Sequence, residues 1–297
     1  MSFLKPAKFF LGLSAALMLT SAILLFVPGP NLSIDFTGGT LMEVSVPVDT
    51  PKETMEETLA TFEGEVPLGN VAISATKSSS FLLRMRDISN EEHLALLKHM
   101  RAEMGQVKEL QFTTIGPTVG ASLKKRSVWA LFTASIAIVL YIAFAFRKIP
   151  RKLSPWRFGI IAVVTLLHDV LITVGIFVVM SHVTSFEFDT LFITALLTIL
   201  GYSVNDTIVI FDRIRDNLAE QGRKEEFAEV ADRSLAQSIT RSINTSVSTL
   251  IMLCCLFILG SESIRWFVLT LIVGAIIGTY SSIFLATPLL VYWKKKS

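Results

Sequence analysis

Hydropathy along the chain runs in two patterns. Six stretches are nearly free of charge: Phe9 to Val27, Ser127 to Phe146, Phe158 to Met180, Thr190 to Phe211, Ser242 to Gly260 and Trp266 to Trp293. Each holds at least 19 residues, long enough for a helix to cross the hydrocarbon layer of a bilayer. The last is long enough to tilt. Between the first and second stretches the period changes. Leu41 to Val48 alternates like a strand, and Pro51-Lys52-Glu53-Thr54 opens a helix to about Phe62. Val71 to Thr76 and Ser80 to Arg86 follow as strands joined by a polar turn at Lys77-Ser78-Ser79. Ser89-Asn90-Glu91-Glu92 has the form of a capping box and opens a helix to about Met104. Gln106 to Ile115 gives a last strand. The order β-α-β-β-α-β is that of a split βαβ, ferredoxin-like unit.

The expected architecture is an α-helical membrane protein. Six transmembrane helices carry one extracytoplasmic α+β domain, ferredoxin-like (βαββαβ), between helices 1 and 2. Residues 1–29 form the cytoplasmic N-terminus and first helix, 30–123 the outer domain, and 124–297 helices 2–6 with their cytoplasmic loops and C-terminus.

Composition agrees. The chain of 297 residues is 52% hydrophobic and only 18% charged, against about 25% charged in soluble proteins. Its net charge of +2 averages two unlike regions: residues 28–123 hold seven Lys/Arg against thirteen Asp/Glu, and the remainder twenty against twelve. Basic residues gather at Lys5 and Lys8, at Arg147, Lys148, Arg151, Lys152 and Arg157, along 212–241, and at Lys294-Lys295-Lys296. The alternate links are nearly bare. By the positive-inside rule the basic segments and both termini are cytoplasmic and residues 28–123 lie outside. Lys124-Lys125-Arg126 falls on the opposite side, at the end of a long translocated segment where the rule weakens. The first stretch also has the form of a signal peptide, but Thr20-Ser21-Ala22 is a poor cleavage site, so a retained anchor is expected.

Several features have plain readings. Cys254 and Cys255 are adjacent, which suits no ordinary disulfide or metal site, and are expected as small core residues. His93 and His99 fall on different faces of their helix and are expected at the surface. Thr270, Gly274, Gly278 and Ser282 share one face of the sixth span. Such a stripe lets another helix approach closely, either within this chain or from a second membrane subunit. No catalytic triad, nucleotide-binding loop or metal cluster is recognisable, so neither an enzyme nor a cofactor or metal is expected.

The candidate chemistry lies in the spans. An ionised carboxylate there costs about 3 kcal/mol or more, so it needs a partner, water or a proton. Asp169 sits in the third span between Thr165 and Thr173. Asp206 sits in the fourth, with Tyr202 and Ser203 expected on its face. Arg241 opens the fifth, followed along the helix by Thr245, Ser248 and Thr249. The third and fifth spans start at the cytoplasmic side and the fourth ends there, so Asp206 and Arg241 are expected to approach at similar depth. An acid so placed can load a proton from one side and release it to the other. The alternative is a static buried pair that fixes helix register. His168 is expected as a hydrogen-bonding neighbour.

Gly201-Tyr202-Ser203-Val204-Asn205-Asp206-Thr207-Ile208-Val209-Ile210-Phe211-Asp212-Arg213-Ile214-Arg215-Asp216 resembles the fourth-helix signature of the SecF family of bacterial protein-export membrane subunits. Ile34-Asp35-Phe36-Thr37-Gly38-Gly39 is similar to that family's motif after the first helix. Leu167-His168-Asp169-Val170-Leu171 and Ser238-Ile239-Thr240-Arg241-Ser242 resemble its third- and fifth-helix segments. The sister family SecD usually has Ala-Asn in place of Asn205-Asp206. One departure is Ser33, where the family usually has Gly, which bears on the geometry of the turn at Asp35, Gly38 and Gly39.

The resemblance implies a bacterial inner-membrane subunit that pairs with SecD into a twelve-helix unit similar to resistance-nodulation-division (RND) transporters. Such a unit works with the SecYEG channel on exported preprotein, within membrane lipid and with no nucleic acid, and draws on the proton gradient, or sodium in some relatives. Asp206, Arg241 and Asp169 would be ion-coupling residues, with Asn205, Tyr202, Ser203, His168 and Thr245 in support. Three other readings compete. An RND-type half-transporter exporting a small molecule or lipid usually carries two outer domains and about twelve spans. An aspartyl intramembrane protease would need Gly-x-Gly-Asp, where this chain has Ser203-Val204-Asn205 before Asp206. A passive scaffold would not depend on Asp206.

Overall fold

The computed structural model describes residues 4, 6–47, 50–62, 64, 66–69, 71–75, 80–147, 154–221 and 226–295. The turn expected at Lys77-Ser78-Ser79 and the basic positions Lys5, Lys148, Arg151, Lys152 and Lys296 lie outside these residues. The chain divides into two compact units, Met1–Asn31 with Ser127–Ser297, and Leu32–Arg126.

Among the described residues the smaller unit holds four strands: β1 (Gly39–Ser45), β2 (Ala72–Ala75), β3 (Ser80–Met85) and β4 (Lys108–Ile115). They form one antiparallel sheet in the order β2-β3-β1-β4. Three complete helices among the described residues belong to it: α2 (Ile34–Thr37), α3 (Lys52–Ala60) and α4 (Asn90–Met104). Alternation along β1 and β3 sends Met42, Val44, Phe81, Leu83 and Met85 into a core with Met55, Leu59, Leu96 and Met100. The capping box at α4 is present: the Ser89 hydroxyl accepts from the Glu92 N–H, and the Glu92 carboxylate accepts from the Ser89 N–H. That carboxylate also takes both arms of the Arg86 guanidinium, whose other N–H groups donate to the carbonyls of Val66, Pro67 and Asp87 at 2.8, 2.9 and 2.8 Å.

One expectation fails here. His93 is buried, stacked on Phe112 with centroids 3.7 Å apart and bonded through Nε2 to Glu109 at 2.7 Å. The α4 face that carries Leu96 and Met100 is wide enough to take its ring inward.

The glycine-bearing turn is the short helix α2 closed by Gly38 and Gly39. Ser33 is its N-cap, with φ −73° and its hydroxyl accepting from the Asp35 N–H, so no glycine is needed at that position. Gly38 and Gly39 differ: φ is +75° and +119°, which L side chains avoid. A Cβ on Gly39 would lie 2.7 Å from the Met85 carbonyl oxygen, and one on Gly38 2.9 Å from Pro117 Cα.

Among the described residues, six helices are long and apolar enough to cross a membrane. They are α1 (Ala7–Leu24), α5 (Pro117–Ala145), α6 (Pro155–Val183), α7 (Thr190–Gln221), α8 (Phe227–Leu259) and a broken last helix. That last one is α9 (Arg265–Ser281), a π-turn at Ser282–Ala286 and α10 (Thr287–Lys295). Pro288 has no N–H for the Phe284 carbonyl, which accounts for the lapse in the regular ladder. Three helices outrun their apolar stretches by ten residues or more. α5 starts ten residues before Ser127, with Pro117 in its first turn where a missing N–H costs nothing. Within segment 212–241, α7 extends to Gln221 and α8 begins at Phe227, with Glu226 as its N-cap.

α6, α7 and α9 make the centre of the larger unit, while α1, α5 and α8 keep most of their surface open. Phe146, Phe158 and Phe211 stack at one end. Phe177, Phe186, Phe188, Phe192 and Trp266 do so at the other. Lipid is as apolar as these side chains, so close packing and hydrogen bonds must hold the centre together. The stripe Thr270, Gly274, Gly278 and Ser282 supplies that packing internally. A Cβ on Gly274 would strike Ile199, and one on Gly278 would lie 2.9 Å from Ser203 Cβ. It is therefore α7 of this chain that fills the seam. Cys254 and Cys255, in contrast, are exposed on the open face of α8, because that helix turns only its serine edge inward.

Candidate functional site

Asp169 is fully enclosed. Its Oδ1 accepts from His168 Nδ1 at 2.8 Å, and its Oδ2 from the hydroxyls of Ser281 at 2.8 Å and Ser203. Three helices thus meet on one carboxylate. Thr165 and Thr173 flank it but donate to their own helix, at Ile161 O and Asp169 O. His168 is likewise buried, its Nε2 without a partner among the described residues, and its ring stacks against Tyr280.

Asp206 lies one turn along α7 from Ser203 and is 4% exposed. Ser246 of α8 donates to its Oδ2 over a long 3.4 Å, and the Ser246 and Thr279 hydroxyls are 2.7 Å apart. Compared with Asp169, it is loosely held. Tyr202 borders a cavity of about 140 Å³ with Thr198, Thr249 and Leu271, its hydroxyl buried and unpartnered among the described residues.

Two expected groupings change. Ser203 serves Asp169 rather than Asp206. Arg241 does not pair with Asp206: it is exposed on α8, as are Thr245 and Ser248, and Asn205 is exposed on α7. α8 carries two polar edges. Ser234, Ser238, Ser242 and Ser246 form the inward one, and the Arg241 edge faces out. Ser246, Thr279 and Ser281 are the site residues that sequence reasoning passed over. The serine repeat at every fourth position was the available signal for the first of them.

Residues 96–296 match the family described as "Protein export membrane protein SecD/SecF, C-terminal", and residues 23–46 match "SecD/SecF GG Motif". The chain belongs to the SecD/SecF family. Among its relatives, "Protein translocase subunit SecF" of Sebaldella termitidis is 40% identical over 93% of this chain and 86% of its own length. The protein of the same name from Thermobaculum terrenum is 39% identical over 96% and 91%. The crystal structure of SecDF from Thermus thermophilus, titled a translocon-associated membrane protein, superposes with a TM-score of 0.84 at 34% identity. The match covers 99% of this chain but 39% of that one, so the SecDF chain holds a large further part. The GG motif match contains Gly38 and Gly39. Asp169, Asp206 and Arg241 all fall within the longer match.

Proposed function

We propose that this chain is an accessory membrane subunit of Sec protein export that pairs with SecD and couples an ion gradient to late steps of preprotein movement. The observation that carries the proposal is Asp206, a carboxylate enclosed within a span of a SecD/SecF-type chain and held, among the described residues, by a long contact from the Ser246 hydroxyl with Ser242 beside it. An acid so loosely satisfied has room to take up and release a proton. A membrane potential supplies about 2.3 kcal/mol per charge per 100 mV, enough to bias a two-state element more than tenfold.

Arg241 is then the outward half of the ion-coupling set. An arginine exposed on a spanning helix, beside Thr245 and Ser248, needs a polar partner from outside the chain, and SecD is the proposed source. The fused SecDF relatives, which this chain matches over 39% of their length, support that pairing. Asp169 we assign as the fixed anchor of the set. The sheet unit, with its β2-β3-β1-β4 order and helices following β1 and β3, supports a ferredoxin-like domain. Loop charge favours its placement outside the inner membrane, with both termini inside. The SecYEG channel, the exported preprotein and surrounding lipid complete the proposed partners.

The test is purification in mild detergent followed by reconstitution. A SecD-like protein is expected to co-purify, and the reconstituted pair to take up protons under an imposed potential. Asp206→Asn should assemble equally and abolish uptake. Assembly without any membrane partner, or undiminished uptake by the Asn variant, contradicts the proposal.

A further inference from the structure

Both buried carboxylates are tied to one stretch of α9. Thr279 meets Asp206 through Ser246, and Ser281, two residues on, donates to Asp169. Tyr280, between them, turns to α1, where its hydroxyl lies 3.1 Å from Ser14 Oγ and 3.3 Å from the Phe10 carbonyl oxygen. Gly278 lets α9 pack closely on α7 at Ser203. The π-turn at Ser282–Ala286 follows at once.

The two ties differ in kind. Around Asp169 every contact is a donation to the carboxylate, which fixes Ser281. Around Asp206 the contacts form a chain of hydroxyls, from Ser246 to Thr279 and on to the Ala275 carbonyl, 2.8 Å from Thr279 Oγ1. A carboxylate only accepts, whereas a carboxylic acid also donates. When Asp206 takes a proton it can donate to Ser246; Ser246 then donates to Thr279, and Thr279 to Ala275 O. With Asp206 ionised, Ser246 donates to it and the single Thr279 proton serves either Ser246 or the Ala275 carbonyl, so two protons cover three contacts; protonation supplies the third and turns the Ser246 contact round. The titratable groups around it are Asp169 and His168 of α6, Asp206 and Tyr202 of α7, and Tyr280 itself. From α8, serine hydroxyls face it and Arg241 points away.

We propose that Gly278–Ser281 and the π-turn after it form the transmission element of the subunit. Thr279 reads the state of Asp206, Ser281 is the fixed point on Asp169, and the π-turn passes the difference to α10. Thr279 and Ser281 are positioning residues. This rests on the ion-coupling reading of Asp206. A π-turn within a helix suits the task, since it gives up regular bonding locally and often marks functional sites.

The test uses the reconstituted complex with its SecD partner and channel. Thr279→Val keeps the shape and removes the hydroxyl; a lost hydrogen bond of this kind predicts about a tenfold fall in gradient-driven export. Gradient-independent export should hold, and Thr279→Ser should restore the loss. Thr270→Val is the control, a buried threonine of α9 whose hydroxyl, among the described residues, bonds only back to Trp266 O at 2.8 Å; it should export like the parent. Thr279→Val exporting normally while Asp206→Asn is inactive overturns the transmission element alone. Both variants exporting normally overturns the ion-coupling reading with it.

A second measurement is independent of how Thr279→Val folds. With Cys254 and Cys255 replaced by alanine, a mobility probe on Tyr292→Cys reports on α10. Its signal should change when a proton gradient is imposed, and stay silent in Asp206→Asn. A probe that never responds, or responds equally in both, overturns the proposal.

Discussion

Asp169 carries a prediction whose size follows from its partners. Replacing it by alanine removes the acceptor of three buried donors, on His168, Ser203 and Ser281. Ser281 has a fallback, since its hydroxyl also reaches the Gly278 carbonyl at 3.1 Å. His168 and Ser203 are left stranded, at about 1–3 kcal/mol each, so Asp169→Ala should cost about 4 kcal/mol before any cavity term. Asparagine is different. Its amide oxygen can stand where Oδ2 accepts from both serines, and its NH2 can donate to His168 Nδ1 once the ring proton moves to Nε2. The expected cost is about 1 kcal/mol or less. Thermal melting in detergent and steady-state level in the membrane read the difference. Asp169→Asn should melt near the parent and retain export, while Asp169→Ala should melt far lower. Equal losses in the two variants would refute the hydrogen-bond count. An Asn variant that melts normally yet exports nothing would make Asp169 a carrier rather than an anchor.

Other substitutions test the packing. Gly274→Leu forces a side chain into Ile199 and should destabilise by about 1–3 kcal/mol. Gly201→Ala, with nothing within 4 Å of its Cβ, should be neutral or stabilising in the same melts. Gly39→Ala combines a φ of +119° with a 2.7 Å approach to a carbonyl. It should cost about 2–3 kcal/mol and speed proteolysis of the sheet unit; unchanged cleavage would contradict the strain argument. The Arg86 guanidinium, and then the Ser89 N–H, hold the Glu92 carboxyl below its ordinary range. A depressed carboxyl stabilises the fold above its unfolded value, about 4.3, and the gain is lost as pH falls through the folded value. Glu92→Gln should therefore cost about 1 kcal/mol at neutral pH, and the gap to the parent should close below about pH 4.

What the sequence made legible was whatever repeats locally. Alternation in β1 and β3 and the capping box at Ser89 are short-range signals, and each element formed within a few residues of its expected place. Burial of Asp206 and Asp169 followed from the apolar runs around them. Neighbours across helices were another matter. Period places Ser203 on a face of α7 but says nothing about which acid crosses that face. α8 shows the limit most plainly, because hydroxyls line both of its edges and only packing decides that the serine edge turns in and the Arg241 edge turns out. The outward cysteines follow from the same rotation. The break in the last helix at Pro288 was not anticipated, and a proline alone does not distinguish a kink from a π-turn.

The most direct measurement is preprotein export by the reconstituted complex carrying Asp206→Asn, with and without a proton gradient. The account predicts normal assembly, normal gradient-independent export and no response to the gradient. Export that still rises with the gradient, to the level of the parent chain, would contradict it.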